Sequence, residues 1–595
     1  MNLISQLDQL ETAQLVRHTT DVDQTYIFKH VLTQDSAYHS LLQKQRREIH
    51  RQVAQAYEAL YGKRCLDDYA AILAQHYGEA GDELKAFDYA MRAGESAARL
   101  YAHAEAIEYY KQAIQIARRQ SAPAAFRLSL QDLYLKLGRV YELSDKFDAA
   151  LKCYAEMESV ARERGDRTME LAALVARATI YSIPSQHFDK ERSRSMCEQA
   201  LELARAIGDE PAEAKILWNL LLANSRLDLH YRDAVVYGER AIEIARRLNL
   251  TEQLAYLLND ISLLYVMSGK AELGVRYNLE SREMWRAMNN LPMLADNLGY
   301  AIMQHILLGE YPQAIEESHE SLEISRRIGN VWGEAFTDSW LGEAYRELGK
   351  INLAIETMEK SIDLAGHSFQ APLAFTRADL AWLYGDLGQI GPGLEQAKLA
   401  YLAGEKIAQV MHLYTSATLG YLHLLNGDLA TAQSIIEEAA QRINPDVSTS
   451  LFDMAIYRAE AELYLAQGDY ARAIQACDWL IDFSRSFRMR QHLPDALYTK
   501  AQVLMRQEKL DDAIVSLQDA KSQAERSSSR WMLWRILATL GEIEAARGHF
   551  DQAKSLRAQS RENLDYIIAH TPSDLRESFL NTRDVRRVME LQRTL

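Results

Sequence analysis

Little in this 595-residue chain interrupts a helix, for it holds only 10 Pro and 27 Gly. That scarcity excludes a fold of many short strands, which needs Pro and Gly as punctuation. The 4 Cys (Cys65, Cys153, Cys197, Cys477) are scattered with no Cys-x-x-Cys pair. They exclude a disulfide framework and a cysteine zinc site, and read as buried or free thiols in a reducing cytoplasm. No apolar run reaches the roughly 18 residues of a membrane span, and MNLISQLDQLETAQLVRH lacks the basic start and apolar core of a signal peptide. Basic excess is missing as well. A formal net charge of −16 argues against non-specific nucleic-acid binding, which needs a basic patch. There is no GxxxxGK[ST] to cradle phosphates and no GxSxG elbow, and the 16 His show no metal-ligand spacing. No enzymatic activity, metal or cofactor is therefore expected of this chain.

What is present is a beat. Gly269, Gly309, Gly349, Gly388, Gly427, Gly468 and Gly548 follow at intervals of 40, 40, 39, 39, 41 and 80 residues, with Glu508 inside the double interval. Five residues after each marker stands Gly274, Ala314, Ala354, Gly393, Ala432, Ala473, Ala513 or Ala553. A fixed period between about 20 and 50 residues marks a solenoid, whose units bury their apolar faces only by stacking. Within 335–366, Phe336, Trp340, Leu341, Ala344, Tyr345 and Leu348 recur at helical steps. Gly349-Lys350 then stops the helix, because Gly accepts the left-handed cap. Ile351, Ala354, Ile355, Met358 and Ile362 resume the helical period.

Leu341-Gly342, Tyr345, Gly349 and Ala354 resemble the tetratricopeptide (TPR) repeat, as do Leu137-Gly138, Leu419-Gly420 and Leu540-Gly541 with Ala150, Ala432 and Ala553. The resemblance implies an all-α, TPR-like α-solenoid, with units nearer 40 residues than the family's ~34. It also implies that first helices line a concave groove. Counting each turn Gly as position fifteen, positions two, six and nine supply a stripe over five consecutive units. The stripe is Tyr256 and Asp260; Asp296, Tyr300 and Met303; Phe336, Trp340 and Glu343; Phe375, Asp379 and Trp382; Tyr414 and Tyr421. Aromatic anchors carry much of the energy of protein recognition, and the carboxylates favour a protein or peptide ligand of basic character. Any one of these residues reads equally as packing between repeats.

The first hundred residues leave the beat. Residues 1–17 read as an amphipathic helix, 25–29 as a strand and the only one expected, and His30 to about Leu60 as one long helix, an order compatible with the tail of a winged-helix unit. The segment YIFKHVLTQDSAYHSLLQKQRREIHRQVAQAYE (26–58) resembles a stretch of bacterial signal-transduction ATPases with numerous domains (STAND), chiefly those joined to adenylate/guanylate cyclase domains or LuxR-type regulators. Residues 70–117 and the ending LRESFLNTRDVRRVMEL (575–591) are similar to the same family. The resemblance implies the C-terminal sensor of a STAND protein, with a winged-helix remnant and without its P-loop ATPase, which would itself be a partner. It further implies a nucleotide contact for His30 in the parent protein only, by similarity of Lys29-His30-Val31 to the MHD-type motif, although Val31 replaces the acidic residue. Lys44, Arg46, Arg47 and Arg51 read as a solvated helix face. The expected division is a winged-helix tail over 1–60, linker helices over 61–130, the solenoid over 131–560 and capping helices over 561–595. A constitutive scaffold without a nucleotide switch is the competing reading.

Overall fold

The repeating turn follows from backbone chemistry. In the computed structural model, Gly349 sits at φ +78°, its N–H bonding Arg346 O (2.9 Å) and the N–H of Lys350 reaching back to Tyr345 O (2.8 Å). These bonds satisfy carbonyls that the end of a helix leaves orphaned. Glu508 keeps the same geometry without being Gly: its φ is +62°, and Lys509 N bonds Leu504 O at 2.9 Å. The structure describes the chain except residues 1–2, 20–24, 66, 120–125, 127–128, 184–186, 226–230, 367–368, 408, 444–452 and 592–595. The described residues form 30 helices and one pair of strands, a TPR-like solenoid.

Two compact units divide the chain, Met1–Ile180 and Tyr181–Leu595. In the second, hairpins follow one another as Thr251–Met267 with Ala271–Ala287, Leu291–Leu308 with Tyr311–Ile328, Val331–Glu347 with Ile351–Ala365, and Gln370–Asp386 with Ile390–Ile407. The small residues hold each hairpin close. A Cβ on Gly342 would lie 2.5 Å from Met358 Cγ, so no larger residue fits that crossing. Successive hairpins are joined by buried polar seams: Asn297 donates to Ser281 Oγ (2.8 Å), and the Ser321–Thr337 and Ser361–Thr376 hydroxyls pair at 2.8 and 3.2 Å. A hydroxyl buried in this way must find a partner, so the seams fix register as well as packing.

The second unit also returns on itself. Ser529 Oγ donates to Glu347 Oε2 (2.6 Å) across 182 residues, and Gln389 donates to Ser578 Oγ (2.9 Å) across 189. Asn352 N bonds His570 O at 2.7 Å. Its largest apolar cluster accordingly joins Met303, Trp340 and Leu383 to Phe483, Leu493, Trp531 and Phe579. The chain after residue 487 thus packs against the helices between Leu291 and Asp386.

In the first unit, a core of Leu73, Tyr77, Leu130, Tyr134 and Met157 binds the helices from Ala70–Ala80 to Phe147–Arg164. Two expectations need correction here. Residues 1–17 are not one helix: Leu3–Thr12 ends, Gln14 turns at φ +59°, and Val16–His18 becomes a strand paired antiparallel with Tyr26–Phe28. The strand expected at 25–29 is present, and it has this partner. Nor is 30–60 one helix. Val31–Ser40 stops where Ser40 Oγ bonds Ala37 O (2.7 Å) and Leu41 is extended, and Gln43–Cys65 starts where the Gln45 side chain accepts from Leu42 N (3.0 Å).

Candidate recognition surface

Part of the stripe forms one line across consecutive first helices. Tyr300, Phe336, Trp340, Phe375 and Tyr414 form a chain of ring contacts, with centroids 6.3, 6.3, 6.0 and 5.3 Å apart. Farther along, Trp382 stacks on Tyr421 at 3.8 Å. Tyr256 lies apart from that chain, 5.4 Å from Trp218 and 4.8 Å from Trp285.

Burial divides the stripe. Tyr256, Asp260, Asp296, Phe336 and Phe375 are half-buried. Tyr300, Met303, Trp340, Glu343, Asp379 and Trp382 are buried, and they face the covered side of the unit. Tyr414 and Tyr421 keep part of their rings accessible, while their hydroxyls donate to Asp379 and Asp386. His30 stands exposed at the start of the helix Val31–Ser40, far in sequence from the rest.

Around the buried half lies an acid–base cluster. Arg346 bonds Glu347 (2.8 Å) and lies 3.6 Å from Glu343. Arg458 pairs with Asp495 (2.7 Å) and spreads over the Trp382 ring at 4.4 Å. Gln491 donates to Glu343, and Tyr414 to Asp379. A small cavity of about 10 Å³, about the room one water takes, is lined by Glu343, Arg346, Asp379, Trp382, Tyr414, Ala455, Arg458 and His492. Carboxylates outnumber guanidinium groups, so burial dominates their titration. It pushes Glu343 up to about 8 against the pull of Arg346, and Asp379 to about 6 against the Tyr414 hydrogen bond and Arg346. Burial, then Arg458 and Arg346, drive His492 far below the usual imidazole range, so it is neutral.

The five-unit stripe therefore missed half of the centre. Arg346 and Glu347 occupy positions twelve and thirteen of the same register and Arg458 position five, while Asp495 takes position two of a later unit that the stripe did not reach. The signal was charge inside an otherwise apolar helix face. Gln491 and His492 lie outside any repeat position and carried no such signal.

Of the cysteines, Cys153, Cys197 and Cys477 are buried and unbonded. Burial holds their thiols up, to about 12 for Cys153 and Cys197, so none is a ready nucleophile. Among the described residues no group of three or more His, Cys, Asp and Glu is placed to hold a metal, and no helix is long and apolar enough to cross a membrane.

Residues 339–367 match the tetratricopeptide repeat in sequence. The match covers parts of one hairpin, Val331–Glu347 with Ile351–Ala365, of the TPR-like solenoid. No match was found among curated proteins. Among solved structures it is similar to a Rap protein in complex with competence and sporulation factor, at 11% identity and a TM-score of 0.41, over 61% of this chain and 99% of that one. A STAND protein with a tetratricopeptide repeat sensor from Pyrococcus horikoshii aligns at 12% identity and a TM-score of 0.38, over 74% of this chain and 58% of that one. Yeast Tom70 aligns at 14% identity and 0.32, over 84% and 99%.

Proposed function

We propose that this chain is the ligand-sensing, autoinhibitory arm of a STAND switch, and that the inner face of its second unit recognises a protein or peptide inducer. The observation that carries the proposal is the chain of aromatic rings supplied by consecutive hairpins, still partly accessible at Phe336, Phe375 and Tyr414. Rings of this kind bury large area at little entropic cost, and the flanking Asp260 and Asp296 suit a basic partner. The first unit supports the switch. The helix Val31–Ser40 buries none of its residues, and Val31, Leu32 and Leu42 are 71%, 79% and 72% exposed. Apolar surface left open in this way suits a neighbouring module, here the ATPase, with His30 at the edge of that surface. The division proposed is a winged-helix tail over 1–60, linker helices over 61–130, a solenoid over 131–560 and capping helices over 561–595 in a cytoplasmic protein, with the first compact unit extending into the solenoid as far as Ile180. Only a ligand with different affinity for two arrangements can move their equilibrium, and a swing from 1:99 to 99:1 takes about 5.5 kcal/mol.

A second reading, a constitutive scaffold, is favoured by the covered inner half and its buried ion pairs. Binding distinguishes the two. A candidate inducer recovered with the cognate ATPase should lose about thirtyfold in affinity on Phe336→Ala or Phe375→Ala with the fold retained. Unchanged affinity in both variants overturns the inner-face reading.

A further inference from the structure

The connection between the helices Tyr470–Ser486 and Leu493–Arg506 takes residues 487–492, where the equivalent connections at 288–290 and 527–529 take half as many. It is basic, Phe-Arg-Met-Arg-Gln-His, and it lies against the covered side of the earlier hairpins. Arg488, at φ +56°, pairs with Glu272 across 216 residues. Met489 is wholly buried in the largest apolar cluster. Arg490 N donates at 2.8 Å to Leu307 O, a carbonyl that the end of the helix Leu291–Leu308 leaves orphaned. Gln491 donates to Glu343 across 148 residues, and His492 lines the small cavity beside it.

The fit is incomplete at two points. Gln491 Oε1 is buried without a hydrogen-bond partner in a side chain that is 7% exposed. Arg490, a permanent cation, sits half-buried beside the like charges of Arg526 and Arg488, with the Glu310 carboxylate opposing them. Packing accounts for Met489 but not for the arginines on either side of it, each of which faces a carboxylate of an earlier hairpin, Glu272 for Arg488 and Glu310 for Arg490. That charge complementarity is what a site for a basic chain offers.

We propose that residues 487–492 are a built-in occupant of the inner face, and that the ligand they stand in for is a short basic peptide with an apolar side chain between two arginines and an amide after them. This rests on the inner-face reading above and adds the class of ligand and the means of regulation. The ligand competes with the chain's own segment, so its apparent affinity is reduced by the fraction of chains in which the segment is displaced.

The probe is a labelled peptide, Ser-Phe-Arg-Met-Arg-Gln-His-Leu, titrated into the full chain and into its Met489→Ala/Gln491→Ala variant, with a scrambled peptide as control. Hydrogen exchange along Val331–Glu347 is followed in both proteins. The expected result is binding to the variant about tenfold or more tighter than to the unaltered chain, with the scrambled peptide weaker. Equal binding to both proteins, or equal binding of the scrambled peptide, overturns the proposal. No binding to a variant whose exchange has risen overturns the occupant and leaves the inner-face reading standing. No binding with unchanged exchange overturns both, and makes the segment an inert part of the core. Should the double variant fail to fold, Arg488→Gln removes only an exposed ion pair, and a smaller gain of the same sign is expected. Absence of that gain overturns the proposal.

Discussion

The seven glycines of the beat, each turning one hairpin of the second unit, fall into two sets that their own sequences do not separate. All seven take φ between +72° and +83°. Around Gly427, Gly468 and Gly548 there is open space, whereas a Cβ on Gly269 would lie 3.2 Å from Ser486 O, one on Gly309 3.1 Å from Arg490 Cβ, and one on Gly349 2.8 Å from Ile567 Cγ1. On Gly388 it would meet Ser578 O at 3.0 Å. The earlier turns are pressed against later parts of the chain and the later turns are free. Local chemistry makes every turn alike, and only the return of the array tells them apart.

The strongest way to break that comparison is at the covered face. Trp340 is 7% exposed in the shared cluster, so Trp340→Ala should cost about 3–5 kcal/mol by urea unfolding. Exchange should rise both in its own helix and in Arg530–Ala546, which lies against it. Phe336→Ala, on the accessible half, should cost much less. If exchange after Trp340→Ala rises only near residue 340, the two parts are not held by this contact.

Gly349→Ala and Gly468→Ala compare the two sets directly. Both force Ala into the left-handed region at about 1–2 kcal/mol. Only the first also drives a methyl into Ile567, adding about 1–3 kcal/mol of overpacking. Equal urea midpoints for the two variants would show that the turn at 349 does not bear on the later helices.

The period, the turns and the helical hairpins were legible because each depends on residues within a few positions of one another. Even Glu508 could be assigned to a turn, from spacing alone. The return of the array was not legible. Its contacts, such as Arg488 with Glu272 and Ser529 with Glu347, join residues 216 and 182 apart and obey no repeat. The same limit applies to the site: register found the ring of aromatics, but whether Trp340 meets a ligand or Trp531's cluster is decided elsewhere in the chain. One hint was present. Pro494 in the first turn of Leu493–Arg506 marks a helix that starts late, and so leaves the long basic connection before it.

Titration gives a finer test of the covered face. Burial raises Glu343 from the ordinary carboxylate range to about 8, so the folded chain holds a proton that the unfolded chain has released. Stability from this group is therefore complete below about pH 4.5 and is lost as pH rises towards 8, by at most about 1.4 kcal/mol per unit. Asp379, raised to about 6, acts in the same direction at lower pH. Glu343→Gln keeps an acceptor for Gln491 and should flatten the slope of urea stability between pH 5 and 8, with the variant the more stable at pH 8. An unchanged slope would mean that water reaches Glu343 and the face is open.

The smallest effect concerns the one turn in the beat that lacks Gly. Glu508 holds φ +62° on the exposed side of its hairpin, a conformation that costs an L-residue about 1–2 kcal/mol. Glu508→Gly removes that strain, while the freer unfolded chain returns about 0.4–1 kcal/mol of it. A net gain on the order of 0.5–1 kcal/mol is expected by urea unfolding, as for a free turn such as Gly468. The sign carries the information. A loss on Glu508→Gly would mean that the Glu508 side chain makes a contact worth more than the strain, and would move this turn from the free set to the set held by the rest of the chain.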